Sequence, residues 1–291
     1  MPRLRWGKVF GMRTVVIGHV EWVDFVEVER LPVAGEIVHA RSVRSAPAGG
    51  GSVAAAQLAK LSGDCTFFTA LGDDELGHRA LQELTELGVR VETVFRPEPT
   101  RRAITHIDRS GERTITVLGS RLSPAETDPL PWHDLAEADA VYLCACDPGT
   151  VRAARAARVL VATSRIILPT LRDATVELDA LVGSALDPSE AYEDGELDPP
   201  PRLVVRTEGA KGGTYTLDGG PPERYEPAPV PGDIADAYGC GDSFATALAF
   251  GLARGGSPED ALALAARCGA AVLTGRGPYE GQLTRDDTEG A

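Results

Sequence analysis

Short apolar runs alternate with helical stretches through most of this chain, and no other property restricts the fold as strongly. Thr14-Val15-Val16-Ile17-Gly18 is a β-branched run ending at glycine, the pattern of a buried strand. Residues 52–61 are Ala-rich and read as a helix. A strand over 65–71 follows, then a helix over 75–87 with Gly88 at its C-terminal cap. Further strands are expected at 140–145, 165–169, 180–185 and 203–207, with a helix over 149–160. Such β-α alternation predicts a three-layer αβα sandwich around a mainly parallel sheet. Two stretches break the pattern. Residues 20–45 are extended and of mixed polarity, and residues 102–118 form a hairpin around Asp108-Arg109-Ser110-Gly111. Together they predict a small separate β-sheet, a lid over the main body. A single domain over 12–283 is expected, with residues 1–11 a loose leader and 284–291 a frayed polar tail.

The charge balance narrows the partners. Asp and Glu number 43 against 29 Lys and Arg, a formal net charge of -14. That surface repels a nucleic-acid backbone but leaves room for a nucleotide, whose site needs only local amides and a metal ion. No stretch approaches the ~20 apolar residues of a membrane-spanning helix. Arg3, Arg5 and Lys8 precede no apolar run, so the N-terminus lacks the form of a secretory signal. The five cysteines are odd in number and show no Cys-x-x-Cys spacing, which fits reduced thiols and a cytoplasmic location.

Chemistry concentrates in Asp236-Ala237-Tyr238-Gly239-Cys240-Gly241-Asp242-Ser243-Phe244. Two glycines around one small residue permit a tight turn that brings backbone N–H groups close to a ligand. The helix that follows, with Phe244, Leu248 and Leu252 on one face, adds unpaired N–H groups and the positive end of its dipole. This is an anion hole fit for a phosphoryl group, with the Asp242 carboxylate placed to take a proton from an approaching hydroxyl. Rival motifs fail on spacing. The chain has no Gly-x4-Gly-Lys-Ser/Thr, and Phe244 stands where a dinucleotide fingerprint needs its third glycine.

With these residues in place, the chain resembles the ribokinase-like (PfkB-type) family of carbohydrate kinases. Asp236 to Phe244 matches that family's Asp-x-x-Gly-Ala/Cys-Gly-Asp-x-Phe run. Five further segments resemble family elements in order. They are the Gly-Gly segment at 47–61, Gly72-Asp73-Asp74-Glu75-Leu76-Gly77, Gly111-Glu112-Arg113-Thr114, Asp187-Pro188-Ser189-Glu190 and Thr207-Glu208-Gly209-Ala210-Lys211-Gly212. The resemblance implies ATP-dependent transfer of the γ-phosphoryl group to a hydroxyl of a small sugar. It makes Asp242 the base, and Gly239, Cys240 and Gly241 the anion hole. Glu190 would organise Mg²⁺ through water, and Asp236 matches a monovalent-cation (K⁺) site. Thr207, Gly209, Gly212, Asp187 and Arg267 fall on the nucleotide side, Arg267 with the alternative of pairing with an acid. Family lids pair across subunits, which implies a homodimer.

On the acceptor side the pattern departs. The first strand continues as Gly18-His19-Val20-Glu21-Trp22-Val23-Asp24, one residue longer than the family run. Asp24 is the expected sugar-binding acid, with Glu21 the alternative. Gly49, Gly50, Gly51 and Ser52 line the acceptor, and Val53 holds the place of a substrate-binding Asn. A valine there suggests an acceptor with an apolar group or a missing hydroxyl, or one rotated in the pocket. Two other readings compete with a sugar kinase: a nucleoside kinase, and a sensor of sugar or nucleotide on the same fold.

Overall fold

The computed structural model describes residues 11–109, 111 and 113–289. In chain order the strands are β1 (Thr14–Ile17), β2 (Glu21–Glu27), β3 (Ser42–Ala48), β4 (Cys65–Gly72), β5 (Arg90–Arg96), β6 (Arg102–Ile107), β7 (Arg113–Leu118), β8 (Ala140–Leu143), β9 (Val159–Thr163), β10 (Ala180–Ser184), β11 (Leu203–Thr207), β12 (Gly213–Leu217) and β13 (Glu223–Tyr225). The helices are α1 (Gly50–Ser62), α2 (Glu75–Glu86), α3 (Pro148–Ala154), α4 (Leu168–Ala174), α5 (Cys240–Ala253), α6 (Pro258–Val272) and α7 (Arg285–Glu289).

Nine strands form the main sheet in the order β13-β12-β11-β10-β9-β8-β1-β4-β5. All neighbours from β5 across to β11 run parallel, and β12 and β13 add an antiparallel edge. Side chains alternate across the pleat, so each strand feeds two cores. Val16, Phe67, Tyr142 and Val161 face α1, α2, α5 and α6, while Val15, Ile17, Phe68 and Leu160 face α3 and α4. The layers are therefore helix, sheet, helix, as expected. Helices α5 and α6 pack closely because Gly251 meets Ala261: a Cβ on Gly251 would lie 2.8 Å from the Ala261 Cα. Phe250 is fully buried in that layer, and truncating it to Ala costs about 3–5 kcal/mol.

The lid is a four-stranded sheet, β3-β2-β6-β7, in which β2 and β6 are parallel and the other pairs antiparallel. Its inner face, Val23, Phe25, Ala48, Ala103 and Ile107, packs with Val53 of α1 and Tyr238 beside the glycine turn. The lid is thus bonded by its core to the part of the chain expected to do chemistry.

The structure corrects several boundaries. The strand expected at 165–169 lies earlier, at Val159–Thr163, and helix α3 stops at Ala154 rather than running to 160. An Ala-rich stretch carried the helical pattern too far, while the β-branched Val159 and Val161 belong to the sheet. Pro169 instead opens α4. The tail expected to fray is ordered to 289: Asp287 accepts from Thr284 N and Oγ1 at 2.8 and 2.6 Å, and Arg285 reaches the Leu61 and Ser62 carbonyls at the end of α1. The leader expected over 1–11 lies outside the described residues except for Gly11. Among the described residues no helix is long and apolar enough to cross a membrane.

Candidate active site

The glycine turn has the geometry that its residue types demand. Gly239 sits at φ 88°, the left-handed region, immediately before α5, and a Cβ there would come 2.8 Å from Val53 Cγ1. The Ser243 N–H already bonds back to the Gly239 carbonyl at 2.9 Å. The N–H groups of Cys240, Gly241 and Asp242, which begin the helix, have no such partner within it. They supply an anion hole at the positive end of a 14-residue helix.

Asp242 faces the start of α1 across this hole. A Cβ on Gly50 would approach the Asp242 Oδ1 to 2.9 Å, so glycine is required for the two helix N-termini to meet. Burial raises the Asp242 carboxyl to about 6; Arg165 and Arg113 pull it down, and Glu190 and Glu21 push it up. A carboxylate poised there is ionised at neutral pH yet basic enough to accept a proton.

Lid residues clasp this turn. Asp236 is 1% exposed, and its carboxylate accepts from Arg44 Nη2 at 2.9 Å, Gly277 N at 3.0 Å and Tyr238 N at 2.9 Å. The Arg44 guanidinium also lies 4.4 Å from the centre of the Phe25 ring. Arg113, on β7, donates to the Ala237 carbonyl at 2.9 Å. Tyr238 accepts from Gly49 N at 3.1 Å and stands edge-on to Phe25. The expected K⁺ site does not fit these residues, because the Asp236 carboxylate is neutralised by a guanidinium and filled by two amides.

On the acceptor side the structure chooses between the two candidate acids. Side chains on β2 alternate, so Glu21, Val23 and Phe25 share the inner face while Trp22 and Asp24 point away. Glu21 lies against the glycine segment, its Cγ 3.2 Å from where a Gly49 Cβ would be. Its Oε1 is 3.0 Å from Arg101 Nε and 3.7 Å from His19 Nε2. Asp24 instead accepts from Ser45 Oγ at 2.6 Å and Arg102 Nη2 at 2.9 Å, on the face of β2 away from the glycine segment. Trp22 is buried, and Arg79 from α2 lies over its ring at 4.7 Å.

Ser52 is fully buried, and its hydroxyl donates to the Ala48 carbonyl at 2.8 Å. Val53 is equally buried and packs against Gly239, Tyr238 and the lid, so it holds the turn in place rather than marking a lost sugar contact. Gly49 packs beside Glu21 and His19, Gly50 beside Asp242, and Gly51 against the His19 backbone and the Phe67 ring.

Residues that the sequence did not single out complete this wall. Arg101 and Arg121 lie near Glu21 and His19, and together with burial they drive the His19 imidazole down to about 3, so it is neutral. Arg165 completes the set from the end of β9, bonding Glu190 at 3.2 Å.

The nucleotide-side residues gather beyond the ends of β10 and β11. A cavity of about 260 Å³ is lined by Ser164, Gly183, Asp187, Glu190, Tyr192 and Arg206, among others. Glu190 accepts from Ser184 N at 2.8 Å, and Asp187 caps the short turn below it through Ser189 N and Oγ. Thr207 ends β11, and Gly209 and Gly212 both adopt positive φ in the loop to β12. Arg267 donates from its Nη2 to the Asp287 carbonyl at 2.6 Å, tying α6 to α7. The Thr284 hydroxyl does most to lower the proton affinity of the Asp287 carboxyl, and the Arg267 charge adds to it. Among the described residues no cluster of three or more metal-ligating side chains occurs. Mg²⁺ keeps most of its water and leans on phosphate oxygens, so it needs no such cluster; the Glu190 carboxylate, already bonded by Arg165 and the Ser184 N–H, would reach it only through water.

Comparison with known proteins gives the family and the fold. The model of the pfkB family carbohydrate kinases matches residues 13–185 and 174–285. An ATP-dependent ribose-1-phosphate kinase from Halopiger xanaduensis is 28% identical over 277 residues, spanning 89% of this chain and 91% of that protein. The structure of Arabidopsis thaliana ribokinase complexed with ribose and ATP superposes with a TM-score of 0.74 at 23% identity, covering 96% of this chain and 97% of that one. A microbiome-derived acarbose kinase superposes at 0.80 and 21% identity, covering 96% and 98%. The chain belongs to the pfkB family of carbohydrate kinases.

Proposed function

We propose that this protein transfers the γ-phosphoryl group of ATP to a hydroxyl of a small sugar-like acceptor, with Asp242 as the base. One observation carries the reading: a carboxylate with a raised proton affinity stands at a helix N-terminus whose free N–H groups form an anion hole. Phosphoryl transfer asks for positioning, charge neutralisation and a placed base, and little covalent work from the protein. The acceptor hydroxyl lies over Gly50, beside Asp242. As the oxygen attacks phosphorus, its proton passes to Asp242, and the amides of Cys240 and Gly241 meet the charge on the transferring group. Arg165, 3.2 Å from Glu190, brings positive charge toward the same region. Glu190 would hold Mg²⁺ through water, and the ion would supply charge neutralisation for the nucleotide's phosphates. ATP as donor follows from the ribokinase relative that holds ATP with ribose.

K⁺ activation is not part of this reading, since Arg44 supplies the cation at Asp236. A homodimer through the lid is supported by the exposure of Val43, Ile115, Val117 and Leu118 on its strands. A cytoplasmic location is supported by five cysteines that are all free thiols.

The test is a coupled ADP-release screen over pentoses, hexoses, deoxy sugars, acid sugars, sugar phosphates and nucleosides, run beside Asp242→Asn. Acceptor-dependent ADP release that falls ~10²–10⁴-fold in the variant supports the reading. Activity that survives the substitution within a few-fold sinks the role of Asp242, and release led by nucleosides would move the acceptor class to nucleosides. Binding of ligands with no ADP release from any acceptor would make the protein a sensor.

A further inference from the structure

The wall of the acceptor cleft carries more positive charge than a neutral sugar can use. Arg101 is 12% exposed at its side chain, and its Nε stands 3.0 Å from Glu21 Oε1 at an angle that makes no hydrogen bond. Arg121 has no ion-pair or hydrogen-bond partner among the described residues, and its Nε is buried. Its charge acts on Glu21, His19 and Cys144, so it lies on their side of the molecule. His19 is 6% exposed, with Nδ1 buried and unpartnered beside Gly49 and Gly51. Two guanidiniums thus act on one carboxylate, with a neutral imidazole 3.7 Å from it. Among buried polar groups such orphans are uncommon, and each calls for a partner that the protein itself does not provide.

The chemistry of that partner follows. It must accept several hydrogen bonds and bring negative charge, which is what a phosphate does for planar guanidinium forks. The pocket is locally basic in a chain of net charge -14, so its field selects an anion that the remaining surface repels. Geometry also sets the span. Gly49 touches Glu21 and Gly50 touches Asp242, and adjacent α-carbons are ~3.8 Å apart. An acceptor lying along this step would have its reacting hydroxyl at Asp242 and its far end among Glu21, Arg101 and Arg121.

We propose that the acceptor is a phosphorylated sugar whose existing phosphate is held by Arg121 and Arg101, with His19 adding a hydrogen bond. The proposal rests on the reading of Asp242 as the base. No bond to the held phosphate changes: the γ-phosphoryl group leaves ADP for the free hydroxyl of the same molecule, and the hydroxyl proton goes to Asp242.

The experiment uses the full chain with ATP and Mg²⁺, and three probes: ribose, ribose 1-phosphate and ribose 5-phosphate. ADP release is followed for each, and binding of each without ATP is measured by calorimetry. One phosphorylated probe is expected to exceed ribose in kcat/KM by at least ~100-fold, the worth of a bidentate charged contact or two. Inorganic phosphate should compete with that acceptor and not with ATP. Arg121→Gln should cut the preference for the phosphorylated probe over ribose at least ~10-fold, mainly through KM, and Arg121→Lys should restore part of it. Ribose turned over as well as either phosphate ester overturns the proposal and leaves the kinase reading intact. A preference unchanged by Arg121→Gln overturns it as well. Calorimetric binding of a ribose phosphate that Arg121→Gln weakens, with no ADP release from any acceptor, upholds the anion site and removes the kinase reading. Phosphate competition needs only the wild-type chain, so it decides the matter even if the variants fold poorly.

Discussion

The two halves of the cleft are built in different ways. The phosphoryl half is one short run of chain, Asp236 to Asp242, whose job is done by backbone amides, a helix end and a single carboxylate. The acceptor half is assembled from His19, Glu21, Gly49, Arg101, Arg121 and Arg165, which arrive from separate strands and loops. Backbone geometry needs glycines at fixed spacing and little else. Side-chain recognition can be met by many residues from many places, so it is the half free to change acceptors while the chemistry stays.

That contrast can be broken first at Asp242. Asp242→Asn is expected to lower kcat by ~10²–10⁴, read by ADP release. It should also stabilise the fold. The folded-state value of about 6 lies above the ordinary 3.8, so protonated Asp242 is favoured on folding. Its stabilising contribution is complete below pH 3.8 and is lost as pH rises to 6. At neutral pH the ionised group therefore costs about 3 kcal/mol, which the Asn variant recovers as a higher Tm or a later urea midpoint. A variant that is both inactive and less stable would contradict this.

The next effect is at the clasp between lid and turn. Arg44→Ala leaves the buried Asp236 charge uncompensated and should cost about 3–5 kcal/mol by urea unfolding. Adding Asp236→Asn to it should recover a large part of that loss, since the coupling lies in the pair. A smaller effect separates the two acids of β2. Glu21→Gln is expected to raise the acceptor KM by about 10–100-fold, whereas Asp24→Asn should leave it within about twofold. Equal effects would mean that the pleat has been misread. Smallest of all, replacing K⁺ by Na⁺ or tetramethylammonium should change kcat by less than about twofold, because Arg44 already occupies the acid.

The same contrast explains what could be read before the structure. The β-branched run at 14–17 and the apolar runs at 140–143, 180–184 and 203–207 mark buried parallel strands, and each is one. Strand β9 was hidden because Ala153, Ala154, Ala156 and Ala157 extend a helical pattern up to it. Strands β5 and β13 are the two sheet edges and β12 lies next to one of them, where polar residues interrupt the pattern. The Gly239 turn was legible because its function is local. Glu21 and Asp24 could not be ranked from spacing alone, since their choice depends on which face of β2 meets α1. The arginines lie 80 to 144 positions beyond Glu21, and only the fold brings them beside it. The pairing of Arg44 with Asp236 was likewise out of reach, because the contact spans 192 positions and joins the lid to the glycine turn.

The central claim is that Asp242 is the base and that its burial sets the working range. It is tested most directly by the pH dependence of kcat/KM, taken with an acceptor that has no group ionising near pH 6. The account predicts a fall approaching tenfold per unit below about pH 6 and a plateau above it, as the Asp242 carboxylate takes up its proton. A profile that stays flat from pH 5 to 8 would contradict it.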